Sequence, residues 1–312
     1  MTFNQTGFIL NIITFGIDLI TYLNSLIIFI WIIFHIYFNR IKQDDRITIM
    51  HCMAIYLLLL IYTAILILSN IQTLLGDLYS YDFASSWCIF LGYFSPVVLT
   101  TLYWCFVNQA FYRFCRVVYS PYRWLQYIWI YIIMVPIEFL LICILFYPIL
   151  YWHDVVYIPN EHYCYVPYTH FRGILWLAFN CYGIPTTSLS FIYLRITIYL
   201  RQQTNNQILA IKQRQDRDLL VIRRILITIG LLLALGIPGV VFLVMLRITG
   251  EEYPLLLRIE WFFVSLSMIG LSISTVFFTS QLKQIIFKKF KNNRIIVIQN
   301  EAIARTIPMN NM

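Results

Sequence analysis

Long apolar stretches alternate with short polar connections over almost the whole chain. Seven such runs stand near residues 10–38, 47–70, 86–112, 124–150, 171–200, 219–246 and 254–280. A bilayer hydrocarbon core about 30 Å thick is crossed by roughly 20 consecutive apolar residues in a helix, and each run reaches that length. In lipid every backbone N–H and C=O needs an internal partner, so only helices or closed barrels span it, and barrel strands run about 10 residues. The pattern predicts an all-α fold: a seven-transmembrane helix bundle at about 10–280 within a single domain covering 1–312, followed by a surface helix and tail at 281–312.

Composition points the same way. With 61% hydrophobic and 12% charged residues, the chain carries more apolar surface than one water-soluble core of this size can enclose. Charge then sets the orientation. Of 22 Lys and Arg residues, 19 fall on one side of the alternation, and only Arg172, Arg247 and Arg258 fall on the other, beside Asp77, Asp82, Asp154, Glu161, Glu251 and Glu252. The positive-inside rule predicts an N-terminus on the outer side and a cytoplasmic C-terminus. The sequon at Asn4 fits an outside N-terminus, where it is a candidate glycosylation site. No basic leader with a small-residue cleavage site precedes the first run, so that run reads as the targeting signal. The net charge of +8 reads as an inner face against anionic membrane lipids, leaving no separate feature for nucleic-acid binding.

Five of the seven cysteines (Cys52, Cys105, Cys115, Cys143 and Cys181) lie in runs or at their inner ends, where small buried side chains are the plain reading. Cys88 and Cys164 fall on the oxidising side, one at the start of the third run and one in the loop after the fourth. A disulfide between them would tie that loop over the bundle, a closure worth about 4 kcal/mol as an upper figure. Two unpaired outer cysteines are the alternative.

Arg113 lies 25 residues beyond Cys88, about 37 Å along a helix, so the third run has a cysteine at one rim and an arginine at the other. In this the chain resembles the rhodopsin-like (class A) G-protein-coupled receptors, whose third helix starts with a cysteine and ends in Asp-Arg-Tyr. The resemblance spans roughly residues 10–292 and extends to Tyr112-Arg113-Phe114 with Val117, Val118 and Pro121, to Asn24, to Trp129, to Pro185 with Tyr193 eight residues on, and to Pro238. It implies that an extracellular ligand is transduced to a cytosolic heterotrimeric G protein, with Arg113, Tyr193, Pro185 and Pro238 as coupling and switch residues.

The departures are specific. Tyr112 replaces the acid beside the arginine, Leu235-Gly236-Ile237 precedes Pro238, and helix seven ends Ser272-Ile273-Ser274-Thr275-Val276-Phe277-Phe278 in place of Asn-Pro-x-x-Tyr. Residues 47–70 contain no acid, which removes the family's sodium-binding aspartate and with it the expectation of sodium modulation. Asp218, 20 residues before Pro238, is the candidate partner for Arg113 in a lock closing the inner face; a solvated charge is the other reading. After helix seven, Leu282, Ile285, Ile286 and Phe290 share a helical face interleaved with lysines, as suits a helix lying on anionic lipid.

The ligand is constrained mainly by exclusion. Residues 254–280 hold no lysine for retinal, and Ser95 stands where amine receptors place their aspartate. Ser95, Glu138 and Glu260 are the candidate pocket residues, and the expected ligand is a peptide or a small chemosensory molecule. No cofactor and no metal is expected: five scattered histidines form no cluster, and no nucleophile elbow or phosphate loop appears, so an enzyme is not expected. The alternatives are a seven-span transporter, which would be expected to show internal repeats, and an odorant-type channel, which would require the N-terminus inside.

Overall fold

A computed structural model describes residues 5–38, 43–119, 127–204, 230, 239–246, 248–250 and 255–278. The chain is mostly helical. In order come α1 (Gln5–Phe38), α2 (Gln43–Tyr79), α3 (Ser86–Val118), α4 (Ile128–Tyr151), strands β1 (Val156–Ile158) and β2 (Tyr163–Tyr165), α5 (Phe171–Ala178), a π-helical turn (Phe179–Gly183), α6 (Ile184–Thr204) and α7 (Leu256–Phe278). Five of these, α1 to α4 and α7, are long and apolar enough to cross a membrane, the signature of a membrane protein. The expected sixth run lies mostly outside the described residues, with a helical stretch at 239–246. Asn4, Asp218, Pro238 and the surface helix and tail after helix seven also lie outside them.

The central helix is α3. Its apolar window is 67% buried, against 22% for α1 and 11% for α4, because α2, α4, α6 and the hairpin all pack on it. Ser85 caps its start by accepting a hydrogen bond from the Cys88 amide at 3.2 Å, satisfying one of the orphan donors of a first turn. The main core joins α2, α3, α6 and α7 through Tyr56, Leu59, Tyr62, Leu102, Tyr103, Leu189 and Met268.

At the periphery the usual inside-out logic is reversed. The buried positions of α1 are Gly7, Asn11, Thr14, Asp18, Thr21, Ser25, Ile28 and Ile32, at helical spacing, while Ile20, Ile27 and Ile30 face outward. Lipid solvates apolar side chains, so the interface goes to small and polar residues that allow close approach and hydrogen bonding. Thr14 and Thr21 donate back to the carbonyls of Leu10 and Ile17 at 2.8 Å. Asn24 donates to the Ser272 hydroxyl of α7 at 2.9 Å, and Tyr56 of α2 donates to the Ser272 carbonyl at 2.7 Å. One serine thus joins three helices where the sequence motif expected for helix seven is missing.

The run at 171–200 is helical but not one continuous α-helix. Pro185 has no N–H, and its ring would clash with the carbonyl four residues back, that of Cys181. The chain widens into the π turn just before it, as such bulges do beside an obstruction. The Thr187 hydroxyl donates to the Gly183 carbonyl at 2.8 Å, and Asn180 donates to the Trp176 carbonyl at 2.8 Å.

Candidate functional site

One end of the bundle is covered by a β-hairpin that the hydrophobic pattern does not announce. Strands β1 and β2 pair antiparallel, Tyr157 opposite Cys164. The turn between them closes through Ile158, whose carbonyl accepts from the amides of Glu161 at 3.0 Å and His162 at 2.9 Å. His162 sits at φ 60°, in the left-handed region. Cys164 bonds to Cys88 across 76 residues, so the hairpin is fastened to the first turn of α3, as the sequence anticipates. Its seat is a glycine: a Cβ on Gly92 of α3 would lie 2.5 Å from the Cys164 carbonyl oxygen.

Beneath the hairpin, Trp261 of α7 donates to the Tyr163 hydroxyl at 2.6 Å, and its ring meets Tyr165 edge-on at 5.2 Å. Ser95 is buried and lines a small cavity with Gly92, Leu66, Tyr165 and Trp261. Glu260 accepts from the Tyr168 hydroxyl at 2.5 Å. A Cβ on Gly239 would lie 3.2 Å from its other oxygen, so the helical stretch at 239–246 also reaches this acid. Burial, and next the charge of Glu260, hold the Tyr168 phenol above its ordinary range. Ser95 and Glu260 therefore both lie at the hairpin end. Glu138 does not: it pairs with Asn108 of α3, whose amide donates to its carboxylate at 2.6 Å.

The strongest electrostatic feature of this end combines three residues that the sequence shows only as scattered charges. Arg258, in the first turn of α7, gives Asp77 of α2 a bidentate pair at 2.8 and 3.0 Å. Its Nε donates to Glu161 of the hairpin turn at 2.9 Å, and it also reaches the Asn160 carbonyl at 3.2 Å. Side-chain exposures of 9%, 14% and 4% place Arg258, Asp77 and Glu161 out of bulk solvent. Burial pushes Glu161 up to about 7, with the Arg258 guanidinium opposing the rise and the Asp77 carboxylate adding to it. One cation serves two acids, and Asp77 takes the better share of it.

A second missed acid is Asp18. It lies in the middle of α1, fully buried, with one carboxylate oxygen accepting from Asn70 of α2 at 2.8 Å. An acid inside an apolar run is the signal that singled out Glu138, and it applies equally at residue 18.

At the opposite end, Arg113 and Tyr193 come together. Tyr193 is buried in the main core and lies within electrostatic reach of the guanidinium, as does His51 of α2. Tyr112, in the place of an acid, packs with Ile47 and Tyr131, its ring 5.2 Å from that of Tyr131. The position thus joins α2, α3 and α4 by aromatic packing. Pro185 is buried at the π turn. Trp129, one of the family-like positions, faces outward at 68% exposure. Among the described residues no group of three or more His, Cys, Asp or Glu side chains could hold a metal ion. No protein-family model matches the chain, and no curated protein matches it either.

Proposed function

We propose that this chain is a divergent rhodopsin-like G-protein-coupled receptor: a seven-helix bundle of the plasma membrane, hairpin end outside, that passes an extracellular ligand signal to a heterotrimeric G protein. The observation carrying the reading is the arrangement on α3. A disulfide fastens a loop hairpin to one end of that helix, and Arg113 lies near the other end beside Tyr193. A lid crosslinked to the most buried helix couples events at the covered end to that helix directly. On this reading the ligand meets the hairpin end, where Ser95 lines a small cavity with Tyr165 and Trp261 and where Glu260 accepts from Tyr168. The aromatic walls and acid favour a peptide or small chemosensory ligand.

On this reading ligand binding biases the helix around Pro238 outward and opens the Arg113 face, with Asp218 holding that face shut beforehand. Expression with a promiscuous G protein, screened against peptide and odorant pools, tests it. A ligand-dependent second-messenger response that Arg113→Ala abolishes is the expected result. Ligand-gated current or substrate uptake without any G protein, or an epitope tag locating the N-terminus inside the cell, would overturn it. Asp218→Ala is expected to raise basal signalling, and an unchanged baseline removes Asp218 from the lock.

A further inference from the structure

We propose that the hairpin turn at 158–163 is a proton-operated latch: it holds to α2 and α7 while Glu161 carries a proton, and it lifts when Glu161 ionises. The inference does not rest on the receptor reading. The two ends of the hairpin are held by different chemistry. At one end Cys164 is bonded to Cys88 and its carbonyl rests on Gly92, so the strands cannot leave α3. The turn is fastened by polar contacts instead. Arg258 of α7 reaches the Glu161 carboxylate at 2.9 Å and the Asn160 carbonyl at 3.2 Å, and Thr73 of α2 donates to the Glu161 carbonyl at 2.7 Å. The His162 ring sits on Gly76 of α2, where a Cβ would lie 2.0 Å from it. Its Nε2 is 3.9 Å from Asp77 and its Nδ1 3.4 Å from the Tyr157 hydroxyl.

The charges around Glu161 do not balance once it ionises. Asp77 takes two guanidinium nitrogens of Arg258, at 2.8 and 3.0 Å, and leaves Glu161 the Nε alone. Among the described residues α1 brings only the neutral Asn11 and Thr14 to this spot, and the hairpin adds His162 and the phenols of Tyr157 and Tyr163. With Glu161 protonated, Arg258 and Asp77 cancel, and the neutral carboxyl still accepts from Nε. With Glu161 ionised, two buried carboxylates share one cation. Moving the turn into water relieves the excess, since an unpaired charge held away from solvent is costly. A proton taken up by His162 beside Asp77 acts toward closure as well. Burial, opposed by the Arg258 guanidinium, holds the Glu161 carboxyl up at about 7. A value raised in the closed form means that closure is favoured below the ordinary glutamate range and lost as pH rises through about 7. Lifting the turn about the disulfide uncovers a void of about 20 Å³ lined by Glu161, Arg258, Tyr163, Trp261, Asn11 and Asn70, so the latch controls the access of water and small solutes between α1, α2 and α7.

The test follows amide hydrogen exchange of the full chain in detergent micelles at pH 6 and pH 8, corrected for intrinsic rates. For a carboxyl at about 7 in the closed turn and in the ordinary glutamate range when open, protection over 158–163 is expected to fall about tenfold across that interval. Protection in α3 is expected to stay level. Glu161→Gln keeps the shape and contacts of the protonated form, and its turn is expected to lose most of the drop. Asp77→Asn leaves the guanidinium to Glu161 alone and is expected to keep the turn closed at pH 8. A native turn equally protected at both pH values overturns the proposal, and so does a drop shared by α3, which is global loosening. A tenfold drop persisting in Glu161→Gln overturns it too, as does a turn in Asp77→Asn as labile at pH 8 as in the native chain. Should a variant fail to fold, the native series decides by whether the drop is confined to the turn. No readout involves a G protein, so the outcome leaves the receptor reading untouched.

Discussion

Replacing Arg258 with Gln removes the one guanidinium that serves Asp77 and Glu161, and its cost follows from the geometry. Three charge-assisted contacts between 2.8 and 3.0 Å are lost, together with the link to the Asn160 carbonyl. At an effective dielectric constant of about 20, a unit pair about 4 Å apart is worth about 4 kcal/mol. Removing one partner of a buried pair costs about 3–5 kcal/mol, mostly because the other charge is left unpaired. Glu161 can relieve its share by taking up a proton, which places the expected loss near the lower bound, about 3 kcal/mol. For a chain of this size that corresponds to a fall of roughly 5–9 °C in unfolding midpoint. Arg258→Lys retains the charge but not the planar fork, so an intermediate loss is expected. Thermal unfolding at pH 7, with amide hydrogen exchange across 156–165 and the start of α7, measures it. Wild-type stability in Arg258→Gln, or hairpin exchange no faster than before, would refute the argument that this arginine ties the hairpin to α2 and α7.

Further outcomes follow from the same end of the molecule. Glu161 binds its proton more tightly folded than unfolded, so its contribution is fully present below the ordinary glutamate range and is lost as pH rises through about 7. The unfolding midpoint should therefore drop between pH 5 and pH 8, and Glu161→Gln should remove most of that slope. Cys164→Ser opens the 76-residue closure and is expected to cost about 2–5 kcal/mol, read by thermal unfolding without reductant against Cys88→Ser, which should match it. Gly92→Ala places a Cβ 2.5 Å from the Cys164 carbonyl oxygen, and the enforced shift is expected to cost about 1–3 kcal/mol; a hairpin exchange pattern identical to wild type would show that no shift is needed. A double-mutant cycle of Asn24→Ala and Ser272→Ala should return about 1 kcal/mol of coupling through their 2.9 Å hydrogen bond, and additivity of the two would place the α1–α7 contact elsewhere.

Much of the architecture was legible in the residue pattern, because bilayer thickness turns apolar length into helices with little help from tertiary context. Runs at 10–38, 86–112, 124–150 and 254–280 correspond to α1, α3, α4 and α7 with ends displaced by a few residues. Displacement is larger for α2, which continues to Tyr79 because polar residues after Asn70, Asp77 above all, pair with the hairpin and α7. The Cys88–Cys164 bond was legible as a candidate, since the apolar runs and the charge asymmetry together left just these two cysteines on one side, and the structure joins them. Asp18 was missed although its position carried a signal. The hairpin was missed because its strands are three residues each, too short for any alternation to register.

What the sequence by itself determined is therefore the solvent of this protein and the approximate register of its long helices, with Cys88 and Cys164 singled out as candidates to pair, all consequences of local hydrophobicity and charge count. Only the tertiary structure decided that Arg258, Asp77 and Glu161 form one buried cluster, that Ser272 joins three helices, and that Asp18 faces Ser265. Each depends on which way a side chain points around its helix and which neighbour meets it. In lipid the apolar faces are all solvated alike, so the hydrophobic pattern marks where a helix lies and leaves its rotation to the few polar groups that must find one another.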